Sequence, residues 1–197
     1  PERADTDLKR GQHVAVRPAE IGTSGAAARM LAHYHADGHG TLCATEAAAC
    51  AGIPRQFERY DSDGDGELNR SELVSRWEDW SADGAGVLRV GCRVTHDGKP
   101  LAGAVVALEP HPFLGPSLNR ATGTTDVNGQ CSLSVSPDDL PKELQRIRGV
   151  QPGLYVVRIT HANVEVPARF NFQSTLGLEV ATDTVGPEGV EFAISSR

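Results

Sequence analysis

The stretch Asp61-Ser-Asp-Gly-Asp-Gly-Glu-Leu-Asn-Arg-Ser-Glu72 sets carboxylates at positions 1, 3, 5 and 12 of a twelve-residue segment. Asp61, Asp63 and Asp65 alternate, and Gly66 allows a sharp turn at position 6. Glu67 offers its backbone carbonyl at position 7, Asn69 acts through a water at position 9, and Glu72 can chelate with both oxygens. A hard divalent cation of calcium's size takes six to eight oxygens at roughly 2.3 to 2.6 Å. Four carboxylates from one short loop supply both number and charge, so the expected chemistry is the binding of one calcium ion. A merely solvated acidic turn would leave the register of Gly66 and Glu72 unexplained.

A second segment follows the same template with two ligands altered. In His35-Ala-Asp-Gly-His-Gly-Thr-Leu-Cys-Ala-Thr-Glu46, Asp37, Gly40, Thr41 and Glu46 keep their positions, while His35 and His39 replace carboxylates at positions 1 and 5. Imidazole nitrogen suits zinc, copper or nickel better than calcium. Three readings stand open: an empty, purely structural loop; a transition metal on His35, Asp37 and His39 with Cys43 or Glu46 in reach; or residual calcium. Leu42 and Leu68 both fall at position 8, where an antiparallel contact would join the two loops. His33 reads as an ordinary surface histidine.

Helices must flank such loops. Thr23 or Ser24 can cap a helix carrying Met30, Leu31 and Tyr34 on one face. A short helix over 47–51 ends at Gly52, and another with Phe57 and Tyr60 leads into Asp61. Leu73, Val74, Trp77 and Trp80 then make one apolar helical stripe, more in keeping with core than with a binding groove. This arrangement resembles a pair of EF-hands, the first degenerate and the second intact. A single methionine in 197 residues argues against the adaptable groove of a sensor hand.

From residue 87 the apolar period changes from 3.6 to 2. Strand-like runs recur over 87–95, 104–108, 121–125, 131–135, 154–160, 164–170, 178–181 and 190–194, with turns at His96-Asp-Gly-Lys99 and Asp126-Val-Asn-Gly129. Strands so spaced, without long helices between them, predict an antiparallel sandwich of about seven strands. The runs Val94-Thr-His-Asp-Gly-Lys-Pro-Leu-Ala-Gly-Ala104, Gly123-Thr-Thr-Asp-Val-Asn-Gly129 and Pro152-Gly-Leu-Tyr-Val156 resemble the carboxypeptidase regulatory-like, transthyretin-like domains of bacterial secreted and envelope proteins. That resemblance covers about half the chain and implies a non-catalytic accessory fold.

The expected fold class is therefore α+β and multidomain. An N-terminal extension (1–19) holds a run at His13–Arg17 that could form an edge strand. A helical EF-hand pair (20–82) and a linker (83–86) precede a seven-stranded antiparallel β-sandwich (87–197). The proline-rich loop over 109–119 places Phe113 and Leu114 either as exposed partner-binding residues or as anchors onto the sandwich. His96, His111 and His161 read as surface residues, and no Ser/His/Asp or Cys/His set can be assembled from spacing alone. Intradiol dioxygenases and transthyretin-like hydrolases share the fold, but the iron-binding tyrosine pair and the Tyr-Arg-Gly-Ser ending are lacking. The chain is not expected to be an enzyme.

Four cysteines form no CxxC pair, which excludes a zinc ribbon or a thioredoxin-like motif. Cys92 and Cys131 lie in predicted strands and can pair. Cys43 and Cys50 would stand about 10 Å apart on a helix, beyond the roughly 7 Å that a disulfide tolerates. A net charge of −7 with no basic tract argues against a nucleic-acid or anionic-membrane partner, and no apolar run is long enough for a membrane span. The chain opens on Pro1 with neither an initiator Met nor a signal-like segment, as a processed or trimmed protein would.

The expected function is a calcium-binding structural or adhesive module, secreted or in the periplasm or cell envelope, with a protein or polysaccharide of the envelope as partner. The alternative is a calcium- or transition-metal-responsive binding module that uses the His-substituted loop or the 109–119 loop for recognition.

Overall fold

A computed structural model of the protein describes residues 19–35, 39–82 and 84–196. The expected edge strand at His13–Arg17 and the ligand Asp37 lie outside them. Helix α1 (Thr23–Tyr34) has Gly22 at its N-cap, which has no side chain to offer; the expected caps Thr23 and Ser24 lie inside the helix, where Ser24 Oγ accepts from Arg70 Nη2 at 2.7 Å. Strand β1 (Leu42–Cys43) leads into α2 (Ala44–Ala47), and a single turn, α3 (Phe57–Tyr60), precedes β2 (Glu67–Leu68). Helix α4 (Arg70–Ala82) carries the expected stripe, with Leu73, Trp77 and Trp80 buried.

The strands that follow are β3 (Val90–His96), β4 (Lys99–Pro100), β5 (Val105–Pro110), β6 (Ala121–Thr124), β7 (Gln130–Val135), β8 (Gly153–Thr160), β9 (Gly177–Val180) and β10 (Val190–Ile194). They hydrogen-bond in the order β10-β3-β7-β6-β5-β8-β9, with β4 paired to β3. All these pairings are antiparallel except that of β10 with β3, which is parallel. The β3–β4 hairpin turns at Asp97 and Gly98, both at positive φ (50° and 79°), the backbone that a two-residue hairpin demands.

The expected fold class is overturned. The described residues are mostly β, one curled sheet of seven to eight strands resembling a half-barrel with four short helices and the small β1–β2 ladder beside it, in place of a helical EF-hand pair followed by a sandwich. β6 decides the difference. It pairs with β5 on one side and β7 on the other, so strands that would fall into two layers run as one ladder. The run over 164–170 is not a strand. Pro167 cannot donate to a ladder, and Ala168–Phe170 forms a 3₁₀ turn.

α2 and α3 have four residues each, too few to persist without tertiary cover. The sheet and its loops provide that cover. Phe113, Leu114, Leu118, Leu154 and Ala181 share one apolar cluster with Met30, Leu42, Leu68, Leu73, Trp77 and Trp80. A second cluster fills the curl, around Val94, Val106, Leu108, Tyr155, Val157 and Phe192. The two backbones touch at Gly177 on β9, where an added Cβ would sit 2.0 Å from Gly52 N. Among the described residues, no helix is long and apolar enough to cross a membrane.

Candidate metal centre

The loop from Asp61 to Glu72 curls because its own carboxylates accept its own amides. Asp61 Oδ1 takes the Gly64 N–H (2.8 Å) and Oδ2 the Gly66 N–H (3.0 Å). Asp63 Oδ1 takes the Asp65 N–H and Asp65 Oδ1 the Glu67 N–H, at 3.2 and 2.8 Å. These turns bring one carboxylate oxygen from each of Asp61, Asp63 and Asp65 within 4.8 Å of the others. Oxygens bound to a calcium ion at 2.3 to 2.6 Å can stand at most about 5 Å apart, so the three can share one cation.

Glu72, only 5 % exposed, straps the two ends of the loop. Its Oε1 accepts from Ser62 N–H and Oγ (2.9 and 3.2 Å), and its Oε2 from Asn69 N–H (2.9 Å). Asn69 in turn caps α4, its Oδ1 accepting from Glu72 N–H at 3.1 Å. Glu67, expected to contribute a backbone carbonyl, also accepts through Oε2 from the Thr41 hydroxyl at 2.6 Å, which joins position 7 of one loop to position 7 of the other. Position 8 repeats the link, with Leu42 of β1 paired to Leu68 of β2.

Among the described residues of the first segment, two of the same bonds recur, one with a different residue. His35 Nε2 accepts the Gly40 N–H at 3.0 Å, the 1-to-6 bond that Asp61 makes to Gly66. Glu46 Oε2 accepts the Cys43 N–H at 3.0 Å, the 12-to-9 bond that Glu72 makes to Asn69. The Nε2 lone pair of His35 is thereby engaged within the protein, and His39 stands exposed. Among the described residues, Asp61, Asp63 and Asp65 are the one group of three or more His, Cys, Asp or Glu side chains whose ligand atoms converge.

One helical turn beyond Glu72, Arg76 joins α4 to the sheet. Its Nε and Nη2 donate to both oxygens of Glu179 on β9 (3.0 and 3.1 Å), and its Nη1 and Nη2 to Asp183 (3.0 and 2.9 Å). Tyr60 Oη and Trp80 Nε1 also donate to Glu179 Oε1, at 3.1 and 2.8 Å. Burial pushes the Tyr60 hydroxyl far up, the Glu179 carboxylate adding to it. The Asp183 carboxyl is held below the usual range chiefly by its hydrogen bonds from Arg76. Spacing did not reveal this network, although Glu179 inside the apolar run Leu178-Glu-Val180 is a buried charge in need of partners.

No family model, curated protein or solved structure matches this chain. The likenesses to EF-hands and to transthyretin-like domains thus rest on sequence motifs alone.

Other sequence expectations change in the fold. Phe113 and Leu114 are 6 % and 1 % exposed, so neither offers a partner surface. They anchor the 109–119 loop against the helices, Phe113 stacking on Trp77 at 5.9 Å and on His111 at 5.0 Å between ring centroids. His111 is itself buried, 4 % exposed, with Nε2 2.9 Å from the Ala51 carbonyl oxygen. Burial lowers its pKa, as its charged form would sit in an apolar layer. His96 and His161 lie partly exposed. Ser196 Oγ reaches His96 Nε2 (3.0 Å) and Asp97 Oδ2 (2.6 Å), but Asp97 faces that same nitrogen at 3.7 Å. A relay needs the carboxylate on the opposite ring nitrogen from the serine, so this set lacks a nucleophile's geometry.

Proposed function

We propose that this chain is a non-catalytic calcium-binding module in which one ion, held by an EF-hand-type loop, secures the junction between the helices and the curled sheet. The supporting observation is the convergence of Asp61, Asp63 and Asp65 within 4.8 Å, beside a Glu72 that straps the loop to the first turn of α4. Asp61, Asp63, Asp65 and Glu72 would supply side-chain oxygens, Glu67 its carbonyl and Asn69 a water. The bonds His35–Gly40 and Glu46–Cys43, with the pairing of β1 to β2, support a structural role for the first segment in preference to a transition-metal site.

A bound ion favours the folded state through linkage. A single site of this kind suits the millimolar calcium outside cells, where modules bind at about 10⁻⁴ to 10⁻³ M, which accords with a secreted or envelope setting. At millimolar calcium, about one to ten times that Kd, the expected gain is roughly 0.4 to 1.4 kcal/mol. Thermal melts of chelator-treated protein with calcium, magnesium or zinc test the reading. A melting point that calcium raises most, and that zinc leaves in place, supports it. A transition that calcium does not move, or a zinc effect lost in His35→Ala, overturns it.

A further inference from the structure

Cys92 and Cys131 are directly paired across neighbouring strands, in register on β3 and β7, with Sγ atoms 2.8 Å apart and both thiols free. Facing residues of an antiparallel pair have Cα atoms about 4.5 to 5.5 Å apart, inside the range a disulfide requires. Closing the bond to about 2.05 Å thus needs rotation of two side chains and no backbone rearrangement. Cys131 is also reachable from solvent. The pair lines a cleft of about 450 Å³ together with Gly91, Arg93, Asp126, Gln130, Glu188 and Gly189. Cys131 is half-buried while Cys92 is buried, so an incoming reagent meets Cys131 first.

We propose that Cys92 and Cys131 form a reversible dithiol–disulfide centre, Cys131 being the attacking thiol and Cys92 the resolving one, which exchanges with small disulfides such as oxidised glutathione. The Cys131 thiolate attacks one sulfur of the small disulfide, and that S–S bond breaks as a mixed disulfide forms and one small thiolate leaves. Cys92 then gives its proton to solvent and attacks Cys131 Sγ, expelling the second small thiolate. Two protein thiols are oxidised and one small disulfide is reduced to two thiols. The contact between the two sulfurs holds the Cys131 pKa down, against burial and Asp126, while Cys92 is pushed up by the same contact and by burial. The other pair differs. Cys50 is buried with its thiol pushed up to about 12, and Cys43 sits at the start of α2.

The test incubates the full chain across a series of reduced-to-oxidised glutathione ratios, quenches in acid, alkylates and maps the peptides by mass. The expected result is reversible conversion of a four-thiol form to a form with Cys92 linked to Cys131, Cys43 and Cys50 remaining alkylatable. In Cys92→Ser, glutathione should accumulate on Cys131 at several times the wild-type level. Brief alkylation of the native wild type, which needs no variant, should label Cys131 at least tenfold faster than Cys92. Four persistent thiols in excess oxidised glutathione, equal glutathione on Cys131 in wild type and Cys92→Ser, or faster labelling of Cys92 would each overturn the proposal.

Discussion

Arg76 on α4 grips Glu179 on β9 through two parallel hydrogen bonds of 3.0 and 3.1 Å, and both side chains are buried. The contact joins residues 103 positions apart and makes the helix that carries Glu72 part of the sheet's edge. Two further donors, Tyr60 and Trp80, leave the Glu179 carboxylate fully partnered.

Arg76→Met strands a buried carboxylate, and the expected loss is about 3 to 5 kcal/mol of unfolding free energy. Pairing it with Glu179→Gln should recover much of that loss, because the charge is gone while an amide oxygen can still accept from Tyr60 and Trp80. Urea denaturation of the two variants and the wild type measures both. Equal losses in the single and double variants would show that the pair makes no electrostatic demand.

Gly177 faces the backbone of Ala51 and Gly52, where a methyl group would lie 2.0 Å from an amide nitrogen. Neither backbone can yield as a flexible side chain does. Gly177→Ala should cost about 3 kcal/mol or more, whereas Gly186→Ala, with nothing within 4 Å, should be nearly neutral. Melting temperatures of the two variants check the contrast.

Phe113→Ala removes a ring stacked between Trp77 and His111. Its expected cost is about 3 to 5 kcal/mol of stability, the range for emptying a packed aromatic site. A variant that folds as tightly as the wild type would favour the exposed partner-binding role, the other of the two that its proline-rich setting allows.

Acid should weaken the fold in two windows. Burial sets the pKa of His111 below its ordinary value of 6.5, so the unfolded chain takes up the proton first. Stability is intact above 6.5 and falls as the pH drops from there toward the lowered folded value. Asp183, held below 3.8 by Arg76 and then by Arg59, contributes stability above 3.8 that is lost as the pH falls through its folded value. In calcium-free buffer, His111→Asn should flatten the upper window and Asp183→Asn the lower, read as the pH dependence of the melting temperature.

Local features were legible because their causes are local. Carboxylates two residues apart around Gly64 and Gly66 can curl only one way, and Asp61, Asp63 and Asp65 converge accordingly. The α4 stripe and the Asp97-Gly98 turn follow from period and from positive φ in the same manner. The sheet's continuity was not legible, since β6 has the same alternation whether it ends a layer or bridges β5 to β7. His111 was misplaced, and Phe113 left open between surface and anchor, for a related reason. A loop rich in proline reads as surface, yet the face it covers belongs to helices some 30 to 80 residues away. Arg76 needed a partner that only tertiary contact could supply, although one charge on the helix and one inside an apolar strand were each visible.

Titration calorimetry of metal-free protein with calcium, in wild type and Glu72→Gln, bears most directly on the claim that the Asp61–Glu72 loop holds an ion. One equivalent bound by the wild type, with affinity weakened at least tenfold in the variant, is the predicted result. Absence of binding at ten millimolar calcium, or identical isotherms for the two proteins, would contradict it.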